Sequence, residues 1–358
     1  MTQRVFFSAA IVLLCGCCAI TVTSAPPGRA LASVGMSGRA SSQANEFVYV
    51  ANGSGPVTAY QSGSLGKVEP ALLINNPKLS NTYWDLWDVV FDRLGNLYAQ
   101  TFLSDATTFV FAPHAHGDAK PIRVFMGGGP DTRSVAVDSA GYEYIATSES
   151  SSEINVLPPK ANGQSGNLYY VMPLRTIYTD EAVWFPWSGI LTTDSHDDVV
   201  ASIVRYPQNA VEVYQGGPSG SGGPIRTITG SKTQLGSCGS NCENLTTTFS
   251  RYTSRIYVGV TSIAGSRILV FAEGANGNAV PLQAIEGTET RLGTKAITGL
   301  AVSGRTGEIY AMVKGAQFGA QGVINVYART ANGDISPERS FTDADNRFYN
   351  SLGIGITR

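Results

Sequence analysis

The sequence predicts an all-β protein made of six copies of one four-stranded unit, and three observations predict it. The first is composition: 40 of 358 residues are glycine and only 15% are charged, where an average soluble chain carries about 25% charged residues. The second is patterning. Short runs rich in Val, Ile, Thr and Tyr alternate with period two, and no stretch after residue 46 reads as a long amphipathic helix. The third is self-similarity. A proline returns at Pro70, Pro121, Pro173, Pro224, Pro281 and Pro337, in steps of 51, 52, 51, 57 and 56 residues. Four of the six stand in the context Gly-x-x-x-Pro.

The chain opens on a targeting segment, residues 1–32. Arg4 supplies its positive charge, and Val5 to Val22 is largely apolar and uncharged. Two exits fit. Leu14-Cys15-Gly16-Cys17 resembles a bacterial lipobox with Cys17 as the acylated residue. Ala30-Leu31-Ala32 is a small-x-small cleavage site before Ser33. A retained anchor is the third reading, since an apolar run of about 18 residues is just long enough to span a bilayer. Residues 33–45, rich in Ser, Gly and Ala, read as a flexible linker. The expectation is export, to the periplasm, the outer membrane or the exterior, with the N-terminal segment as the sole membrane attachment.

Cysteine usage fits export. Outside the targeting segment only Cys238 and Cys242 remain. In an oxidising compartment they read as a small disulfide loop. Free thiols are the alternative, and two thiolates with no His nearby make a poor zinc site.

From residue 46 onward each unit reads as strands A to D. Strand B appears as Phe47-Val48-Tyr49-Val50 and Ile309-Tyr310-Ala311, strand C as Val57-Thr58-Ala59-Tyr60 and Ile324-Asn325-Val326-Tyr327. Strand D follows each proline, as in Ile122-Arg123-Val124-Phe125. Strand A opens the unit, as in Val89-Val90-Phe91 and Leu300-Ala301-Val302. The A-to-B turns Asp92-Arg93-Leu94-Gly95 and Asp138-Ser139-Ala140-Gly141 place Asp and Gly where tight hairpins need them. Four short strands per repeat of about 50 residues is the pattern of a β-propeller blade. The first unit begins at strand B, and Leu352-Gly353-Ile354-Gly355-Ile356 supplies its missing strand A. Residues 46–358 are therefore expected to form a six-bladed β-propeller of four-stranded antiparallel blades. The C-terminal strand would close the ring on the N-terminal blade.

The segments ITGLAVSGRTGEIYAMV (297–313) and INVYARTANGDISPERSF (324–341) resemble the NHL-type and gluconolactonase-like six-bladed propeller superfamily in bacterial exported form. The resemblance implies the fold across residues 46–358. It leaves activity open, because that superfamily holds hydrolases, lyases and pure binding modules. It also implies that an enzyme of this kind holds a divalent metal at the central channel with carboxylates and amides. No catalytic residue transfers.

In a propeller, strand A lines the channel, and the D-to-A and B-to-C connections share the face that binds ligands. About six positions before the end of strand A lie Asp85, Asp131, Glu243 and Asn350. These form a candidate acidic ring for one calcium or magnesium ion; capping of loop N–H groups is the competing reading. All four tryptophans fall in two D-to-A connections, Trp84 with Trp87 and Trp184 with Trp187. Indole rings there suit sugars, peptides or flat apolar ligands, while packing between blades suits them equally. Tyr206, Phe348 and Tyr349 are expected on the same face. His114 and His116 fall on the opposite face, and His196 in an Asp-rich turn.

A net charge of -2 with no basic block leaves no footprint for nucleic acid. The nucleophile elbow, the zincin helix and the EF-hand loop are all missing from the sequence. The expected function is thus a binding or interaction module without a catalytic centre, taking a small molecule, glycan or protein. A lactonase-like metal-dependent hydrolase and a structural envelope protein are the alternatives.

Overall fold

The structure, a computed structural model, describes residues 46–357 except 54, 80–85, 103–105, 130–131, 148–151, 164–168, 180–188, 221, 238–242 and 316–320. Blade 1 opens with β1 (Phe47–Ala51), β2 (Val57–Gln61), the short β3 (Gly66–Val68) and β4 (Leu72–Ile74). Blade 2 comprises β5 (Leu86–Phe91), β6 (Leu97–Thr101), β7 (Thr108–Phe111) and β8 (Arg123–Phe125). Blade 3 comprises β9 (Thr132–Val137), β10 (Glu143–Thr147), β11 (Glu153–Leu157) and β12 (Arg175–Tyr178). Blade 4 comprises β13 (Leu191–Thr193), β14 (Val199–Ile203), β15 (Ala210–Tyr214) and β16 (Arg226–Thr229). Blade 5 comprises β17 (Asn244–Ser250), β18 (Arg255–Thr261), β19 (Arg267–Ala272) and β20 (Gln283–Ile285). Blade 6 comprises β21 (Ala296–Val302), β22 (Ile309–Lys314), β23 (Gly322–Tyr327) and β24 (Arg339–Asp343), and the chain returns to blade 1 as β25 (Ile354–Ile356).

Every blade is an antiparallel meander, and β25 joins β1 with Val48 opposite Ile356 and Val50 opposite Ile354. Each innermost strand also lies beside the innermost strands of both neighbours, so the six close around a channel. The protein is a six-bladed β-propeller sealed at blade 1.

The period-two alternation has two buried sides here, because each blade is sandwiched between two others. Six apolar cores result, one per blade junction. The seal between blades 6 and 1 packs Val48, Val50 and Tyr60 against Tyr310, Met312, Val326 and Phe341. Fully burying a Val, Leu, Ile or Phe side chain is worth about 1.5–3 kcal/mol, so the junctions, not the single sheets, stabilise the ring.

One sheet departs from the four-stranded expectation. β3 leaves blade 1 and pairs in parallel with β24 of blade 6, Gly66 opposite Phe341 and Val68 opposite Asp343. The same device recurs in shorter form: Gly117 bridges Ile74, Tyr170 bridges Met126, Gly277 bridges Ile228 and Gly333 bridges Ile285, all in parallel. The C-to-D connection of one blade therefore straps the outer strand of the blade before it. Gly117, Gly277 and Gly333 adopt φ of +59°, +59° and +75°, a left-handed backbone that glycine enters without strain. Asn276 and Asn332, just before two of these glycines, accept the amide hydrogens of Thr227 and Ala284. His116 occupies the equivalent place before Gly117, a structural position in the strap.

The arginine that stands two residues after Pro121, Pro173, Pro224 and Pro337 ties blades together. Arg123 Nη1 meets Glu143 Oε1 at 2.6 Å and Ala161 O at 2.9 Å, both in blade 3, while its Nη2 donates to Tyr98 Oη at 2.5 Å. Arg339 reaches Glu308, Tyr310 and, across the seal, the carbonyl of Ser62.

Candidate functional site

On the face carrying the D-to-A and B-to-C connections, a cleft of about 620 Å³ opens between blades 4 and 5. Its walls come from the B-to-C connection of blade 4 (Pro207, Gln208) and the D-to-A connection that follows (Ser231, Gln234, Ser237). Arg267 and Glu286 of blade 5 complete it. Local chemistry sets this shape. Ser231–Thr233 forms a 3-10 turn, after which Gln234 turns left-handed at φ +60°. Arg267 fixes that turn by donating from Nε (2.8 Å) and Nη2 (2.6 Å) to Gln234 O. Asn209, fully buried, donates to the carbonyls of Leu235 and Glu243 and pins the connection to blade 4.

Among the described residues, the side chains of Gln208, Ser231, Gln234, Ser237 and Glu286 carry no hydrogen-bond partner of their own. The cleft therefore offers amide and hydroxyl donors, a carboxylate acceptor and a guanidinium edge within one concave surface. Tyr206, 75% exposed, precedes Pro207 at its wall. Tyr349, half exposed, stands on the same face in the D-to-A connection between blades 6 and 1.

The other sequence candidates distribute differently. Trp87 is only 6% exposed. Its ring packs on Phe102 at 4.3 Å, and the Arg133 guanidinium of blade 3 lies over both rings, 5.2 Å from Trp87 and 4.8 Å from Phe102. It serves the packing between blades 2 and 3. Phe348, expected on the ligand face, is fully buried against Tyr60 at 5.2 Å in the seal. Trp84, Trp184, Trp187, Asp85, Asp131, Cys238, Cys242 and Cys17 lie outside the described residues. So does the side chain of Asn350, whose backbone ends the 3-10 turn Arg347–Asn350. Glu243 caps a loop: its Oε2 accepts the Ser237 N–H at 3.0 Å and its Oε1 lies 3.5 Å from Arg267 Nη2. This is the loop-capping arrangement of the two readings.

The channel itself carries one described carboxyl on its wall, Asp88. Ser134 Oγ donates to Oδ2 at 2.6 Å and the Val89 N–H to Oδ1 at 2.9 Å. Burial nevertheless pushes its pKa up to about 6. Sequence reading missed Asp88 because it alternates with apolar neighbours inside a strand, where only its depth in the ring makes it unusual.

On the opposite face, Asp194, His196 and Glu273 bring potential ligand atoms within 4.8 Å of one another. Asp194 is already committed. Its Oδ1 accepts the N–H groups of His196 and Asp198, and its Oδ2 meets Arg226 Nη2 at 2.9 Å. Glu273 accepts from the Ser195 N–H and Oγ. This group knits the turns of blades 4 and 5.

No protein-family model matches the sequence, and no curated protein does. Solved structures do. A protein of unknown function from Bacteroides caccae aligns with a TM-score of 0.56 at 9% identity, over 88% of this chain and 99% of that one. The Dos1 propeller aligns at 0.45 and 10% identity, over 81% and 68%. The β-propeller domain of Cps50 (Swd1) from Myceliophteria thermophila aligns at 0.41 and 12% identity, over 71% and 85%. At 9% identity the first is a likeness of fold, and it runs the whole length of that protein.

Proposed function

We propose that this chain is an exported binding module, akin to the NHL-type and gluconolactonase-like propellers, whose D-to-A and B-to-C connections bind a glycan. The carrying observation is the cleft between blades 4 and 5. Its unengaged Gln, Ser and Glu side chains match the hydroxyl-rich edge of a sugar, and exposed Tyr206 offers the apolar face that sugar rings stack on. Trp184 and Trp187, in the sequence that enters blade 4, are proposed as further ligand contacts. Cys238 and Cys242 would clip the connection that forms the cleft's far wall.

The metal-dependent hydrolase reading needs carboxylates free to ligate a cation. Glu243, the one described carboxylate of the four candidates, engages Ser237 and Arg267, which favours its loop-capping reading. Titration calorimetry with soluble cello-, xylo- and chito-oligosaccharides tests the proposal. Wild-type protein is expected to bind one class, with Tyr206→Ala weakening it at least about tenfold, or 1.4 kcal/mol. Unchanged affinity in Tyr206→Ala, or no binding across the panel, defeats it. About one calcium, magnesium or zinc per purified chain by elemental analysis would favour the hydrolase.

A further inference from the structure

A second cavity, of about 680 Å³, runs along the innermost strands of blades 1, 2, 4, 5 and 6 and reaches the A-to-B turns, on the face opposite the cleft. Small-molecule sites commonly span about 300–1,000 Å³.

Exposure shows which way the cavity opens. Toward the A-to-B turns Val90, Phe91, Thr192, Thr248, Phe249 and Ile356 are half-buried. Deeper along the same strands Asp88, Ile190 and Thr247 are buried. Neighbouring innermost strands pack closely along the cavity wall: a Cβ on Gly353 would stand 2.7 Å from Trp87 O, and one on Gly355 would stand 2.6 Å from Val89 O. A ligand would enter from the A-to-B face, where the lining is half-buried, toward the buried positions.

The lining has four chemistries, the deepest being the buried Asp88 carboxyl, which accepts from Ser134 Oγ and the Val89 N–H, far from the mouth. Phe91, Leu191, Phe249 and Leu300 make an apolar wall. The hydroxyls of Thr192 and Thr248, on the same wall, meet no other described group. At the mouth stand two arginines. Arg251 is neutralised by Asp197 at 2.7 Å. Arg305, exposed, has no ion-pair partner within 4 Å among the described residues. Glu46, which Arg305 stabilises through its charge, is held by Ser303 Oγ at 2.8 and 2.9 Å.

We infer that the channel binds a small amphipathic organic anion: an apolar body against the phenylalanine and leucine wall, an acceptor at the threonine hydroxyls, and a carboxylate or sulfonate at Arg305. This site is separate from the proposed glycan cleft, at the other end of the ring, and stands or falls independently of it.

Two fluorescent probes of nearly one shape test it on the full chain: anilinonaphthalene sulfonate, which is anionic, and N-phenylnaphthylamine, which is neutral. Both are expected to bind saturably at about one per chain. Arg305→Ala should weaken the sulfonate about three- to tenfold, the loss of one exposed charge contact, and leave the amine within about twofold. Thr248→Trp, which fills the wall, should abolish both while the thermal midpoint and any oligosaccharide binding persist. Sulfonate binding that survives Thr248→Trp, an Arg305→Ala effect equal for both probes, or no saturable binding overturns the inference. If Thr248→Trp does not fold, Arg305→Glu on its exposed turn decides: it must discriminate against the sulfonate more strongly than Arg305→Ala does.

Discussion

Asp88 is the one carboxyl on the channel wall among the described residues. Burial raises its pKa to about 6 in spite of the bonds from Ser134 and Val89. An acid whose folded pKa is raised favours the protonated fold. Its contribution is therefore intact below the unfolded value near 4 and is lost as pH climbs through 6, to the extent of roughly 3 kcal/mol. Urea unfolding of wild type and Asp88→Asn at about pH 4 and about pH 7 checks this. The variant should gain on the wild type between the two by about 2–3 kcal/mol, because any misfit of the amide is the same at both. Arg123 is the second residue with a predictable effect. Arg123→Ala leaves Glu143 buried, with Oε2 already lacking a partner, and should cost about 3–5 kcal/mol. Replacing both by apolar residues should recover most of that in denaturant melts. The arginines after the prolines were visible in the sequence. Their role was not, because Arg123 answers to Glu143 and Ala161, 20 and 38 residues away in the next blade.

Among the elements, the strap shows where sequence reading stops. Gly-x-x-x-Pro was legible as punctuation, and the strand after each proline followed from its apolar run. That Gly66–Val68 adds a parallel strand to the sixth blade was not legible, since three mostly exposed residues carry no pattern and the partner lies at the far end of the chain. Gly277→Val tests the device. A β-branched residue at φ +59° is strained by about 1–3 kcal/mol. The Thr229 amide, which donates to Gly277 O at 3.0 Å, should exchange faster with deuterium while amides of blade 2 are unchanged. The site followed a similar division. Tyr206 was expected on the face of the D-to-A and B-to-C connections and stands there, 75% exposed. Trp87 illustrates the limit: its spacing places it at the head of strand A, but an indole packs as readily on Phe102 and Arg133 as it meets solvent. Glu243 likewise was visible as a loop acid, and only the position of Arg267 decides what it holds.

At the scale of the whole molecule, stability resides in closure. Removing residues 352–358 strips β25 from β1 and opens the core in which Ile354 meets Val48 and Val50. The expected outcome is loss of a single cooperative thermal transition, not a small shift, measured by calorimetry. The six cores are linked in a circle, so one open junction exposes two blade faces at once.

The pairing of β1 with β25 also has a timing. Phe47 N–H donates to Thr357 Oγ1 across 310 residues of sequence. At synthesis rates of about 5–20 residues per second, roughly 15 to 60 s pass between the emergence of the two partners. Throughout that interval Phe47–Ala51, an uncharged apolar strand, presents an unpaired inner edge of the sort that captures strands from other chains. A nascent polypeptide of this design therefore has an obligatory interval of vulnerability, and its yield in a cell will depend on whatever shields that edge until the final residues arrive.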